Sequence, residues 1–160
     1  MVEFGNLPKP STFSNQCNCA QVLIVDDNPF NTLAFETILE ALDVKFDSVY
    51  NAKDSIEKIL SRSKQVCGKG CQPYSLVFMD QEMPGMTGSE AVREIRKLES
   101  KNLIPVLRIM GCTAHGGWNE VEKFMESGIN RCIHKPISIE LIKEVLTEAG
   151  IKFKSREKIG

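Results

Sequence analysis

The chain has 160 residues, a formal net charge of −1, and 42% hydrophobic and 26% charged residues. This length suits one domain with its own core, and the near-neutral charge gives no reason to expect a nucleic-acid partner or a polybasic membrane patch. No apolar run approaches the ~20 residues of a transmembrane helix, and the first twenty residues lack the pattern of a secretory signal, so we expect a cytoplasmic protein without direct membrane insertion.

The apolar pattern predicts five strands that alternate with five helices. Residues 1–19 are rich in polar residues and Pro and are expected to form a flexible N-terminal tail, 20–150 a single domain, and 151–160 a basic C-terminal tail. The predicted strands cover 22–25, 44–50, 76–80, 104–110 and 131–134, and the helices begin near 29, 52, 88, 118 and 138.

Two helices carry informative details. Pro29 stands at a favoured first helical position, and Ser138 can cap the last helix. In the first helix, the apolar residues that recur at helical spacing are Phe30, Leu33, Ala34, Ile38, Ala41 and Leu42.

The alternation of strands and helices indicates an α/β fold. The first strand, VLIV, is a continuous apolar run that is typical of a strand buried on both faces. A parallel sheet with helices on both sides satisfies this pattern, and right-handed crossovers leave few possible topologies.

Polar residues follow four of the predicted strands. Asp26 and Asp27 come directly after the first strand, Asp80 ends the third, Thr113 follows the fourth and Lys135 follows the fifth. In open parallel sheets, chemistry gathers at the carboxyl ends of the strands. One acid there could merely cap a helix, but the ordered set indicates a site.

Three carboxylates at one edge repel one another, and burying them together is costly unless a cation compensates. A hard divalent cation with oxygen ligands, such as Mg²⁺, is the natural partner. One carboxylate could then act as a nucleophile toward a phosphoryl donor, while a Lys and a hydroxyl stabilise the transferred oxygens.

Four segments carry a family resemblance: VLIVDDNPFN at 22–31, LVFMDQEMPGMTG at 76–88, GCTA at 111–114 and RCIHKP at 131–136. On these motifs, the chain resembles the receiver domains of two-component response regulators and hybrid histidine kinases from about residue 21 to 149. The resemblance implies a flavodoxin-like (βα)5 three-layer sandwich whose five-stranded parallel sheet has the order 2-1-3-4-5.

The resemblance also implies a role for each matching acid. Asp80 would become the aspartyl phosphate. Asp27 would bind Mg²⁺ or Mn²⁺ directly, Asp26 would act mainly through water, and Asp80 would join them. Glu82 would contribute its backbone carbonyl to the same metal.

On the phosphoryl side, the resemblance implies that Thr113 and the backbone N–H of Ala114 bind phosphoryl oxygens. Lys135 would pair with the phosphate or with Asp80, and the Lys135–Pro136 bond would be cis. The family often has Tyr or Phe three residues before the Lys, but this chain has Cys132 there.

The function implied is phosphorelay signal transduction. The donor would be a phosphohistidine on a histidine kinase or a histidine phosphotransfer protein, and the chain could stand alone or belong to a hybrid kinase. The expected chemistry is limited to self-phosphorylation and autodephosphorylation, so no enzyme of the ordinary kind is expected. The alternatives are a phosphorylation-independent interaction module on the same fold and an aspartyl phosphotransferase with Glu82 as its general acid.

Four cysteines suggest a second site. Cys17 and Cys19 precede the first strand, and Cys67 and Cys71 precede the third, so all four could meet at the edge opposite the acids. Four thiolates can hold a structural Zn²⁺, although these spacings are unusual for zinc, and a disulfide or free thiols are the alternatives.

Overall fold

The computed structural model describes residues 19–65, 73–114 and 116–155. In these ranges, five strands alternate with five helices in the order β1 (Val22–Val25), α1 (Pro29–Ala41), β2 (Phe46–Val49), α2 (Ala52–Lys64), β3 (Leu76–Asp80), α3 (Gly88–Ser100), β4 (Arg108–Thr113), α4 (Trp118–Glu126), β5 (Arg131–His134) and α5 (Ile139–Glu148). None of these helices has the length and apolar character needed to cross a bilayer.

The sheet is parallel and has the strand order 2-1-3-4-5, as predicted. One core cluster packs α1 and α5 against one face of the sheet, and the other packs α2, α3 and α4 against the opposite face. Side chains of β1 alternate between the two, since Leu23 and Val25 belong to one cluster and Val22 and Ile24 to the other. This burial on both faces explains why the first strand is a continuous apolar run.

Local sequence explains where several helices begin. The side chain of Asn28 accepts a hydrogen bond from the N–H of Phe30, and Pro29 follows at a position where no backbone donor is needed. Thr87 and Glu90 form a reciprocal capping box at the start of α3. Ser138 caps α5 as predicted, through a hydrogen bond from the N–H of Leu141.

The buried face of α1 differs from the apolar stripe read from the sequence. Phe30 and Leu33 are 80% and 58% exposed, whereas Thr32, Phe35 and Leu39 are buried. Apolar residues lie around most of this helix, so its pattern does not select one face. The face against the sheet is chosen by packing, as in the contact between Phe35 and a phenylalanine of β3, whose ring centroids are 4.8 Å apart.

The fourth strand begins and ends later in the chain than the apolar pattern predicts. Ile104 and Leu107 gave the apolar pattern and are indeed buried, but they belong to the connection before β4. Pro105, which lies between them, has no N–H to donate to a neighbouring strand. The observed strand extends to Thr113, in register with β3. The second strand is also shorter than predicted, because the N–H of Val44 donates to the carbonyl of Leu39 in the last turn of α1.

The C-terminal segment differs from the predicted tail at 151–160 as far as it is described. Ile151 is buried, Phe153 packs against the same core cluster, and the N–H of Lys154 donates to the carbonyl of Leu42 at 2.8 Å. The chain after α5 therefore continues to contribute to the core. Residues 1–18 of the predicted N-terminal tail and residues 156–160 lie outside the described ranges.

Candidate functional site

Parallel pairing brings the three predicted acids together. Val25 of β1 is the register partner of Met79 of β3, so the residues that follow, Asp26 and Asp80, lie side by side at the same edge. One carboxylate oxygen from each of Asp26, Asp27 and Asp80 lies within 4.8 Å of the others. Asp26 and Asp80 are buried and Asp27 is exposed, so the cluster opens to solvent on the side of Asp27.

Lys135 completes this cluster from the end of β5. Its Nζ donates to Oδ2 of Asp26 at 2.8 Å and to Oδ1 of Asp80 at 2.9 Å. The N–H of Lys135 bonds to the carbonyl of Thr113, which extends the pairing of β4 with β5 to the site. The Lys135–Pro136 peptide bond is cis, as predicted. The bond to Asp26 was not expected from the sequence.

Asp26 has a second structural bond. Its Oδ1 accepts a hydrogen bond from the N–H of Asn28 at 2.9 Å, while its Oδ2 is bound to Lys135. Both oxygens of this buried carboxylate are therefore engaged by the protein. That Asp26 would act on a metal mainly through water stays a prediction.

Burial and charge act together on Asp80. Desolvation raises the pKa of its carboxyl group to about 6, and the neighbouring charges of Asp26 and Asp27 act in the same direction, while Lys135 opposes them. For Lys135 itself, burial lowers the pKa, but its bonds to Asp26 and Asp80 outweigh that effect and the net direction is upward. The ammonium group therefore stays charged and offsets only part of the acidic charge.

The other predicted residues lie around the same edge. Thr113 is buried at the end of β4, and Ala114 follows it on the surface. Glu82 is exposed in the connection between β3 and α3. Their roles toward a phosphoryl group or a metal stay predictions.

Gln81 is a residue of this edge that the motif reading did not single out. Its side-chain oxygen accepts hydrogen bonds from both the N–H and the hydroxyl of Ser89, each at 2.8 Å. Nearby, a Cβ added to Gly88 would lie 2.1 Å from the carbonyl oxygen of Asp80, so this close approach requires glycine. The signal available in the sequence was a polar residue directly after Asp80 and a Ser one position into α3.

The cysteine hypothesis concerns mainly residues outside the described ranges, since Cys17, Cys67 and Cys71 lie there. Cys19 is described and is partly buried. Cys132, at the position where the family often has an aromatic residue, is partly buried, and desolvation raises the pKa of its thiol. The relatives and solved structures below give no support for zinc.

Comparison with protein families gives one model that covers most of the chain: "Response regulator receiver domain" matches residues 22–147. The sensor histidine kinase GacS of Pseudomonas protegens is 34% identical over 137 residues, which are 85% of this chain and 14% of that protein. The hybrid signal transduction histidine kinase L of Dictyostelium discoideum is 32% identical over 81% of this chain and 7% of its own length. The chain thus spans a seventh or less of these two relatives.

Solved structures give the same picture. The receiver domain of the histidine kinase CKI1 from Arabidopsis thaliana, complexed with Mg²⁺, has a TM-score of 0.69 and 27% identity over 81% of this chain and 90% of that one. The receiver domain of the sensor histidine kinase PA1611 from Pseudomonas aeruginosa, with a magnesium ion coordinated in its active-site cleft, has a TM-score of 0.65 and 26% identity over 82% of this chain and 99% of that one.

Proposed function

The chain belongs to the family of response regulator receiver domains, and from that premise we propose that Asp80 is the residue that accepts the phosphoryl group. Receiver domains of hybrid histidine kinases and response regulators act in phosphorelay signal transduction. The observation that carries the assignment is the position of Asp80 at the end of a buried strand. Its Oδ1 lies 2.9 Å from Nζ of Lys135, and the carboxylates of Asp26 and Asp27 lie beside it.

We propose a phosphohistidine as the donor, on a histidine kinase or a histidine phosphotransfer protein. Histidine kinases are the relatives that support this, and the chain could be one part of such a hybrid kinase. In the transfer, an oxygen of Asp80 bonds to phosphorus while the bond from phosphorus to the donor nitrogen breaks. The carboxylate of this chain is itself the acceptor, so the proposed chemistry is self-phosphorylation and does not include turnover of a separate substrate.

The chain's own groups would stabilise the charge that moves to the transferred oxygens. Lys135 already donates to Asp80, so its ammonium group lies beside the position that a phosphoryl oxygen on Asp80 would take. Thr113 and the N–H of Ala114 would bind the other oxygens. Because these groups come from different strand ends, the sheet holds them in place before the donor arrives.

A divalent cation fits the donor set of this edge. Asp26, Asp27 and Asp80 offer carboxylate oxygens, which hard cations prefer, and their combined charge exceeds that of the ammonium group of Lys135. Asp27 and Asp80 would hold Mg²⁺ or Mn²⁺ directly, with Asp26 through water and Glu82 through its carbonyl. When bound, the cation neutralises charge on the phosphoryl oxygens.

Labelling with a small donor tests the assignment. We expect phosphoramidate and Mg²⁺ to add one phosphate to the wild type, as measured by intact mass, and none to Asp80→Asn. Asp43→Asn is a matched control, because Asp43 is exposed and its positive φ of 57° suits Asn as well.

Two outcomes would contradict the proposal. Equal labelling of the wild type and Asp80→Asn would place the phosphate elsewhere. A wild type that takes no label at any Mg²⁺ concentration would favour the alternative, a phosphorylation-independent interaction module on the same fold. The proposed location is the cytoplasm.

A further inference from the structure

Gln81 stands between the proposed acceptor, Asp80, and the proposed carbonyl ligand, Glu82. We propose that Gln81 is a positioning residue that orients the connection between β3 and α3 and thereby sets the affinity of the site for its divalent cation. This inference rests on the proposed function of the same site. The side chain of Gln81 contacts α3 and is not one of the proposed metal ligands.

The bonds of Gln81 reach three different parts of the fold. Its N–H donates to the carbonyl of Cys112 at 3.1 Å, which continues the pairing of β3 with β4 one residue past Asp80. Its carbonyl accepts a hydrogen bond from the N–H of Gly88 at 3.0 Å. Its side-chain oxygen accepts the two bonds from Ser89.

These bonds link the start of the connection between β3 and α3 to its end. The carbonyl and the side chain of Gln81 both reach the first turn of α3, so the two ends of the segment 81–88 are joined through this single residue. Glu82 is the first residue inside the closed segment. Its backbone direction is therefore constrained from the Gln81 side. The backbone of Asp80 is constrained as well, because its carbonyl lies against Gly88.

Helix initiation alone does not account for the contact. The N–H of Ser89 is one of the first four donors of α3, and such donors need a partner from outside the helix. The capping box of Thr87 and Glu90 serves the N–H groups of those two residues and leaves the N–H of Ser89 to Gln81, but the hydroxyl of Ser89 gives Gln81 a second bond that helix initiation does not require. The contribution of Gln81 is thus to fix the segment before the helix, which is the part that borders the site.

Groups that orient metal ligands affect affinity without touching the metal. Loss of such outer contacts typically weakens metal binding about 10- to 100-fold. Gln81 acts on the backbone that carries one proposed ligand carbonyl, so we expect the lower end of that range. The capping box and the sheet remain intact, so the variant should still fold, with a small loss of stability because the N–H of Ser89 loses its acceptor.

Gln81→Met tests the role, because Met keeps the length of the side chain and removes the acceptor. We expect Mg²⁺ to bind about tenfold more weakly in calorimetric titration. Labelling by phosphoramidate should slow at low Mg²⁺ and recover at saturating Mg²⁺, which a general loss of folding would not produce. Gln65→Met is the matched control, since Gln65 is exposed at the end of α2 and should leave Mg²⁺ binding unchanged.

Ser89→Ala separates the two bonds that the side chain of Gln81 accepts. This variant removes the hydroxyl donor and keeps the N–H donor, so its loss of Mg²⁺ affinity should be smaller than that of Gln81→Met. The double variant should bind Mg²⁺ no more weakly than Gln81→Met alone, because both changes act through the same contact.

The outcomes separate this inference from the function on which it rests. A wild type that binds Mg²⁺ and a Gln81→Met variant that binds it equally well would overturn the role of Gln81 alone. A variant whose weaker binding is matched by a large loss of thermal stability would also overturn it, in favour of a structural role. A wild type that neither binds Mg²⁺ nor takes label would overturn the proposed function, and this inference with it.

Discussion

The two edges of the sheet hold their charges in different ways. At the carboxyl edge, which we call the acidic edge, the carboxylates of Asp26, Asp27 and Asp80 cluster together, and the ammonium group of Lys135 donates to Asp26 and Asp80. At the opposite edge, which we call the paired edge, Arg96 donates to Glu99 and to three further acceptors. The difference indicates that the paired edge stabilises the fold, whereas the acidic edge keeps an imbalance of charge that a ligand can relieve.

The paired edge joins segments that are distant in the chain. The guanidinium group of Arg96, in α3, reaches the carbonyls of Leu107 and Gly128 and the side-chain oxygen of Asn130. The carboxylate of Glu99 in turn accepts from the N–H of Leu107. Glu99 and Leu107 thus each take part in two of these bonds, and removing the guanidinium group of Arg96 would leave several acceptors without their hydrogen bonds.

A second contact strengthens this edge. The hydroxyl of Tyr74, just before β3, donates to the carboxylate of Asp47 in β2. Desolvation is the main reason that the pKa of Tyr74 is raised, and the bond to Asp47 adds to it, so the phenol remains protonated at physiological pH. The nearby Arg62 is also buried. At the paired edge, the phenol of Tyr74 thus donates to a carboxylate, as the guanidinium group of Arg96 does.

The largest effect is expected from breaking the paired edge. Arg96→Met should lower the free energy of unfolding by about 3 kcal/mol, because the poorly exposed carboxylate of Glu99 loses its charged partner. Urea denaturation measures this change. Lys97→Met is the matched control, since Lys97 is the next residue and pairs with the exposed Glu94, so its substitution should change stability by no more than about 0.5 kcal/mol. Equal effects of the two substitutions would refute the contrast.

An intermediate effect of opposite sign is expected at the acidic edge. Without metal at pH 7, Asp80→Asn should raise the free energy of unfolding by about 2 kcal/mol. The pKa of Asp80 is about 6 in the folded protein, against an ordinary value of 3.8 for an aspartate side chain. Each pKa unit corresponds to about 1.4 kcal/mol, and screening by solvent reduces the total. Lys135 would retain its bond to Asp26 in this variant.

The pH dependence gives this prediction its sign. Between about pH 4 and pH 6 the folded protein binds more protons at Asp80 than the unfolded chain does, so the stability contributed by this group falls as pH rises through that window. The advantage of Asp80→Asn should therefore be near zero at pH 4 and complete at pH 7, in urea denaturation with a chelator present. A difference that stays constant over this range would mean that the charge of Asp80 is not its cause. Glu122→Gln, at an exposed position on α4, is the control.

The smallest effect on stability is expected at Asp27, with a clear effect on binding. Asp27 is exposed, so Asp27→Asn should change the free energy of unfolding by less than about 0.5 kcal/mol. Its affinity for Mg²⁺ should fall at least about tenfold, or 1.4 kcal/mol, since a proposed direct ligand loses its charge. Calorimetric titration measures the affinity, again with Glu122→Gln as the control. An unchanged affinity would remove Asp27 from the metal site.

Much of the fold and the membership of the acidic edge could be predicted from the sequence. The apolar runs of β1 and β3, the caps at Asn28 and Ser138, and the acids at the strand ends depend on neighbouring residues, so their physical causes are visible in short segments. Parallel pairing then requires that residues at the ends of adjacent strands meet. The placement of Asp26, Asp27 and Asp80 together followed from this rule.

The tertiary structure alone decided the features that depend on distant residues. It selected the buried face of α1 and moved β4 to Arg108–Thr113, because both are set by packing and register against β3 rather than by local apolar pattern. It also joined Lys135 to Asp26, 109 residues earlier, and Arg96 to the segment before β5. Such bonds form between side chains that carry no mutual signal in the sequence, since their meeting depends on the geometry of the whole sheet and the helices that cover it.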